Sequence, residues 1–335
     1  MSATSLAVQI SQFTSQYALY VNSICIIIGF ISNILNILIF IRLKQFRQNR
    51  CVFYLIIESI SNLFSELSTM MVTLISLIYG DNALRFSIFW CISRYIAFQG
   101  TGLISTSMIC FAAVDQFCST NYRLYLRQIC KMKLTYYFVI ICIIISISHS
   151  ILYSSFAIIT ELLGCTVTNP QVVQYATYFY YPIFQGFLPI TIASTFSLLA
   201  YRNVRRVIRR QIPIERRRFD QQITAMVLTR VIVYVVLSLP YTIYRVYAIN
   251  LDSKKIDLLR SAIERLIQTI FYSIAATIYA INFYLFLIIS SRYRRQVKYV
   301  LKKKYWYSIK DWFCLRSNQI QPELPISSND DNLFE

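Results

Sequence analysis

Histidine is almost absent: His149 is the only one in 335 residues. One imidazole cannot assemble a His-based metal site, and it leaves the serines without a general base beside them, which argues against metal-dependent and serine hydrolases. Glycine is scarce, at 6 residues, and no Gly-rich phosphate loop occurs. There is no Asn-x-Ser/Thr acceptor, so N-glycosylation is not expected. Acidic residues number 15 against 33 Lys and Arg. No internal repeat stands out. Residues 1–19 lack the basic start and cleavage-like tripeptide of a signal peptide, so the first apolar run is expected to act as its own uncleaved insertion signal.

What the chain does have is long apolar runs. Seven are read as membrane spans, near residues 20–43, 52–79, 87–113, 134–158, 174–200, 222–248 and 262–290. A bilayer core of about 30 Å needs roughly 20 apolar residues per helix. The expected fold is an all-α membrane protein, a seven-transmembrane helix bundle. Its parts would be an outer segment 1–19, the bundle 20–290, a short amphipathic eighth helix 291–304 and a tail 305–335.

Charge sets the expected orientation. Lys and Arg concentrate after spans 1, 3, 5 and 7, for example Arg42, Arg50, Arg123, Lys131, Arg205, Arg206, Arg294 and Lys298. Residues 1–19 and 159–173 contain none. Basic loops stay in the cytoplasm, which places the N-terminus outside and the C-terminus inside; the plasma membrane is the expected location. The net charge of +18 then reads as a topology signal rather than a nucleic-acid footprint. Its partners would be anionic lipid headgroups and acidic cytoplasmic surfaces.

Of nine Cys, this topology puts Cys91 and Cys165 on the oxidising side, so a disulfide is expected between the start of span 3 and the loop after span 4. The remainder are expected as free thiols, with Cys314 a candidate for palmitoylation.

Several landmarks share one order and spacing. Gly29-x-x-Ser32-Asn33 lies in span 1. Asp115-Gln116-Phe117 falls 24 residues after Cys91. Pro189 lies in span 5 and Pro240 in span 6, and Asn282-Phe283-Tyr284-Leu285-Phe286 in span 7. Tyr293-Arg294-Arg295 follows. Over residues 20–304 the chain resembles the rhodopsin-like G-protein-coupled receptors, in a divergent form of invertebrate type. That resemblance implies a receptor passing an extracellular ligand signal, from a peptide or an environmental chemical, to a heterotrimeric G protein, with no cofactor. It makes Asp115, Gln116, Phe117 and Asp220 the switch and coupling residues. Gln116 stands where the family has Arg, so a Gln116–Asp220 hydrogen bond would replace an ionic lock and loosen it. Pro189 and Pro240 would be hinges, since a mid-helix proline removes a backbone hydrogen bond. Asn33, Asn62, Ser105 and Asn282 would form a polar core. Glu58 and Glu66 sit one turn to either side of Asn62, and the family's span-2 carboxylate is missing, so a packing network is favoured over a sodium site.

The eighth helix would turn Tyr293, Val297, Val300, Leu301 and Tyr305 to lipid. Ser327 and Ser328 are candidate phosphorylation sites. The expected ligand residues are Arg94, Phe98, Gln99, Tyr181 and Arg245, the arginines suited to an anion such as a peptide carboxylate. Phe98 occupies the position where aminergic members carry Asp, which argues against a monoamine. Span 7 has no Lys for retinal. A signalling-silent scaffold or decoy is the alternative. A transporter or channel would call for broken helices and charges paired at the midplane, which the sequence does not announce.

Overall fold

The computed structural model describes residues 3–43, 46, 49–79, 87–129, 131–160, 164–207, 214–249 and 257–305. Cys314, Ser327, Ser328 and the tail beyond 305 lie outside the described residues.

Hydrocarbon offers the backbone no hydrogen-bond partner, so an apolar run in a bilayer closes its bonds internally as a helix. Among the described residues, six helices are long and apolar enough to cross a membrane: Thr4–Arg42, Arg50–Ile75, Ile88–Thr120, Met132–Ser154, Pro170–Arg205 and Phe219–Ala248. They are called the first to sixth helices below. A pair, Leu258–Ala280 and Asn282–Ile289, bends by 63° and makes up to a seventh span if taken as one. The chain is thus an all-helical bundle of a multi-pass membrane protein. The third helix is central and packs on the second, fourth, fifth and sixth. The first helix closes the ring by packing on both the second and the bent pair. Ile141, Ile144, Ile145 and Leu152 of the fourth helix stand exposed, as apolar side chains facing lipid do.

Four features differ from the sequence reading. The first helix begins at Ala3 instead of near residue 20. Residues 3–19 carry no Gly or Pro to stop it, and the Thr14 hydroxyl bonds back to the Ile10 carbonyl at 2.7 Å. Beyond the fourth helix an antiparallel hairpin forms, β1 (Ala157–Thr160) on β2 (Gly164–Val167), with Ile159 opposite Cys165. Cys165 is bonded there to Cys91, with Cα atoms 5.6 Å apart, as expected. The hairpin marks one end of the bundle, and the opposite end is the basic one.

The fifth helix is irregular. Asn169 caps its start by accepting from the Gln171 and Val172 amides, with Pro170 in the first turn. A π-helical stretch, Ala176–Phe187, follows and contains Pro182, and regular α-helix resumes at Leu188. The irregularity therefore lies before Pro189, the expected hinge. Pro189 has no N–H for the Gln185 carbonyl, and the Tyr234 hydroxyl of the sixth helix donates to that carbonyl at 3.2 Å. Gly186 lets this segment approach the sixth helix: a Cβ there would lie 2.5 Å from Thr242 Cγ2. Pro240 lies inside a sixth helix that runs unbroken from Ile214 to Ile249.

The short helix Ser291–Tyr299 also departs from expectation. Tyr293, Val297 and Val300 are buried against the bundle instead of facing lipid. Tyr293 donates to Asn36 Oδ1 at 3.0 Å and packs edge-on against Phe286, and Phe40 and Phe46 complete the cluster. Burial pushes its phenol pKa up. Leu301 remains exposed.

Candidate ligand cavity and the polar network beneath it

A cavity of about 440 Å³ lies inside the hairpin half of the bundle. The second and third helices supply Glu66, Arg94, Phe98 and Gln99, and the π-helical stretch supplies Tyr181 and Gln185. The sixth helix and the bent pair add Tyr234, Tyr241, Tyr272 and Tyr279. Four of the five expected ligand residues therefore line it. Arg245 does not; its guanidinium stacks on the Tyr181 ring, 4.3 Å from the centroid, one layer behind the wall. Arg94 stacks on Tyr95 at 5.5 Å. The buried Gln99 amide lies beside the Tyr153 and Tyr181 hydroxyls. His149 hydrogen-bonds Tyr175 at 2.9 Å and stacks on Tyr180, a packing role outside the cavity.

Ser105 belongs to both the cavity wall and the polar layer below it. Its hydroxyl donates to Asn62 Oδ1 at 2.7 Å, and Asn62 Nδ2 reaches Asn33 Oδ1 at 3.5 Å. Asn33 Nδ2 in turn donates to the carbonyls of Gly29 and Tyr279, both at 2.9 Å. Ser32 Oγ accepts from the Phe283 amide at 3.1 Å. These contacts account for a sharp bend in the bent pair without proline. The break at Ile281 frees backbone groups on either side, and the Ser32-Asn33 pair satisfies two of them. Gly29 permits the approach, since a Cβ there would come within 3.2 Å of Ala280 Cα and would collide with Glu66 Oε1.

Three of the four expected core residues, Asn33, Asn62 and Ser105, form one chain of hydrogen bonds. Asn282 joins a different cluster. Its Nδ2 donates to Glu58 Oε1 at 3.0 Å, and the same oxygen accepts from Arg230 Nε at 2.9 Å and Nη2 at 2.5 Å. Both charged side chains are about 1% exposed. A charge pair thus ties the second, sixth and bent helices together at the core of the bundle. The sequence reading noted Glu58 and did not pair it with Arg230. The usable signal was chemical: an ionisable residue inside a membrane helix needs a partner, and Glu58 and Arg230 had opposite signs.

At the basic end, Asp115 pairs with Arg50 Nε at 3.4 Å. Gln116 Nε2 donates to the Thr224 hydroxyl at 2.5 Å and more loosely to the Asp220 backbone carbonyl at 3.5 Å. The expected Gln116–Asp220 contact therefore runs to the main chain, with Thr224 as the side-chain partner. One turn of helix brings Thr224 under Asp220, and its hydroxyl also bonds the Asp220 carbonyl at 2.7 Å. Phe117 packs on Phe196 of the fifth helix, ring centres 5.4 Å apart. Among the described residues, no three His, Cys, Asp or Glu gather as a metal site would require.

No protein-family model matches the chain, and no curated protein matches it.

Proposed function

We propose that this protein is a rhodopsin-like G-protein-coupled receptor in the plasma membrane, with the hairpin end outside and the basic end in the cytoplasm. The observation that carries this reading is the continuity at Ser105. A cavity sized for a small ligand shares that residue with a buried polar network, and the network reaches the bend in the last membrane helix. Ligand contact at Tyr234, one turn above Arg230, would bear on the Glu58–Arg230 pair and on the Gln185 carbonyl together. A bistable packed core of this sort converts a small displacement into a swing of the sixth helix. At the basic end the swing would part Gln116 from Thr224 and expose a surface to a heterotrimeric G protein. The helix Ser291–Tyr299, with Arg294 bonded to the carbonyls of Leu287 and Ile288, would serve as the family's eighth helix.

The test is G-protein dissociation in cells with confirmed surface display, ligand-free and after pooled stimuli, for wild type and Gln116→Arg. Wild-type signal above mock-transfected cells supports the receptor reading. Signal from Gln116→Arg alone favours the silent scaffold or decoy.

A transporter is the second reading, and two observations favour it: the 63° break and the buried charge pair, both features of transport proteins. Solute uptake or ion currents in reconstituted bilayers, without coupling, would decide for it.

A further inference from the structure

Among the described residues, nothing answers the Glu66 carboxylate. The side chain is 7% exposed and lines the cavity, yet it makes no ion pair or hydrogen bond among the described residues. Neither the Arg50–Asp115 nor the Arg230–Glu58 ion pair includes it, and Arg94, which lines the same cavity, makes no ion pair with it. Gly29 holds Glu66 in place from behind, because only a residue without Cβ leaves room for the carboxylate. A buried carboxylate without a counter-charge is costly, and the cavity that Glu66 lines gives a partner access to it.

We propose that Glu66 is the counter-ion for a protonated amine, and that the cavity takes a cationic amine carried on an aromatic or apolar body. The inference rests on the receptor reading of the cavity and assigns its ligand class. The surroundings fit such a molecule. Tyr272 and Tyr279 line the cavity, and aromatic rings attract ammonium groups. Arg94 lies eleven residues before Ser105 on the third helix, about 16 Å nearer the hairpin end. There it can donate to an acceptor at the ligand's far end. Phe98 removes the carboxylate from the third helix, and Glu66 delivers one from the second. The anionic ligand suggested by the arginines is therefore replaced by a cationic one. A bound metal ion is the less suitable cation, since among the described residues no three His, Cys, Asp or Glu side chains gather around it.

The experiment uses the purified full-length chain in lipid nanodiscs and reads thermal stabilisation and direct binding. The probes are a panel of protonated aryl- and alkylamines, such as 2-phenylethylammonium, each beside its neutral hydroxyl isostere, such as 2-phenylethanol, up to millimolar concentration. Sodium chloride is compared with N-methylglucamine chloride as the inorganic-cation arm. We expect at least one amine to bind while its alcohol does not, and Glu66→Gln to weaken that binding by about thirtyfold or more. The amine-against-alcohol comparison needs only the wild-type chain, so misfolding of the variant cannot mask the result. Three outcomes would overturn the proposal: no amine in the panel binding in preference to its alcohol, equal binding to Glu66→Gln, or Glu66-dependent stabilisation by sodium with none by amines. The readout requires no G protein. Amine binding without coupling would therefore sink the receptor reading and leave this assignment standing, and the converse would do the opposite.

Discussion

Removing either half of the Glu58–Arg230 pair should cost far more than removing both. In Arg230→Met, the Glu58 carboxylate stays buried with only Asn282 to answer it. In Glu58→Gln, the guanidinium stays buried without a counter-charge. Breaking a buried pair from one side typically costs about 3–5 kcal/mol, because the surviving charge is left uncompensated. The double variant Glu58→Gln with Arg230→Met removes both charges. The amide introduced at position 58 can still accept from Asn282 Nδ2 through its oxygen. Its nitrogen can donate to Asn282 Oδ1, which lacks a partner in the native protein. The remaining defects are on the order of one or two hydrogen bonds, about 1–2 kcal/mol. The double variant should therefore be more stable than either single one, with a coupling of at least about 3 kcal/mol in the double-mutant cycle. Reversible unfolding of nanodisc- or micelle-embedded protein, followed by thiol accessibility of the buried Cys51 and Cys110, would measure it. If the single changes cost under about 1 kcal/mol each, or simply add, the pair is not closed in the resting protein. The Glu58–Arg230 pair would then not be what ties the second and sixth helices together.

Gly29→Ala should destabilise by about 1–3 kcal/mol, since its Cβ would collide with Glu66 Oε1; adding Glu66→Ala should recover most of the loss, and thermal melts of the two variants check this. Asn33→Ala should cost about 1–3 kcal/mol, because the Tyr279 carbonyl at the bend loses its donor, and hydrogen exchange should rise at residues 279–283 before it rises elsewhere. Cys165→Ser should lower stability by about 2–5 kcal/mol, and the mobility difference between reduced and non-reduced wild-type chain on a gel should vanish in the variant. Thr224→Val removes the hydroxyl that holds Gln116, so ligand-free G-protein dissociation should rise above wild type; an unchanged basal level would show that this contact does not restrain the sixth helix.

The apolar runs and the placement of Cys91 and Cys165 were legible from the amino acids alone. Local composition controls both: length and hydropathy decide whether a segment can lie in hydrocarbon, and topology leaves these two thiols facing the same side. Part of the cavity wall was legible too: Arg94, Phe98, Gln99 and Tyr181 line it, whereas Tyr234, Tyr241, Tyr272 and Tyr279 were not singled out. What the sequence left undecided depends on which side chain meets which across the bundle. The Glu58–Arg230 pair joins residues 172 positions apart. The bend at Ile281 follows no proline or glycine but side chains of the first helix that satisfy the freed backbone. Tyr293 was expected to face lipid because its helix is amphipathic, but which environment an apolar stripe meets is decided by the neighbouring Phe40, Phe46 and Phe286. Glu66 shows the same division. The chain places a carboxylate near the middle of a membrane helix, and the tertiary structure, by pairing Glu58 and leaving Glu66 open to the cavity, decides which carboxylate is spent on the core and which is left for a ligand.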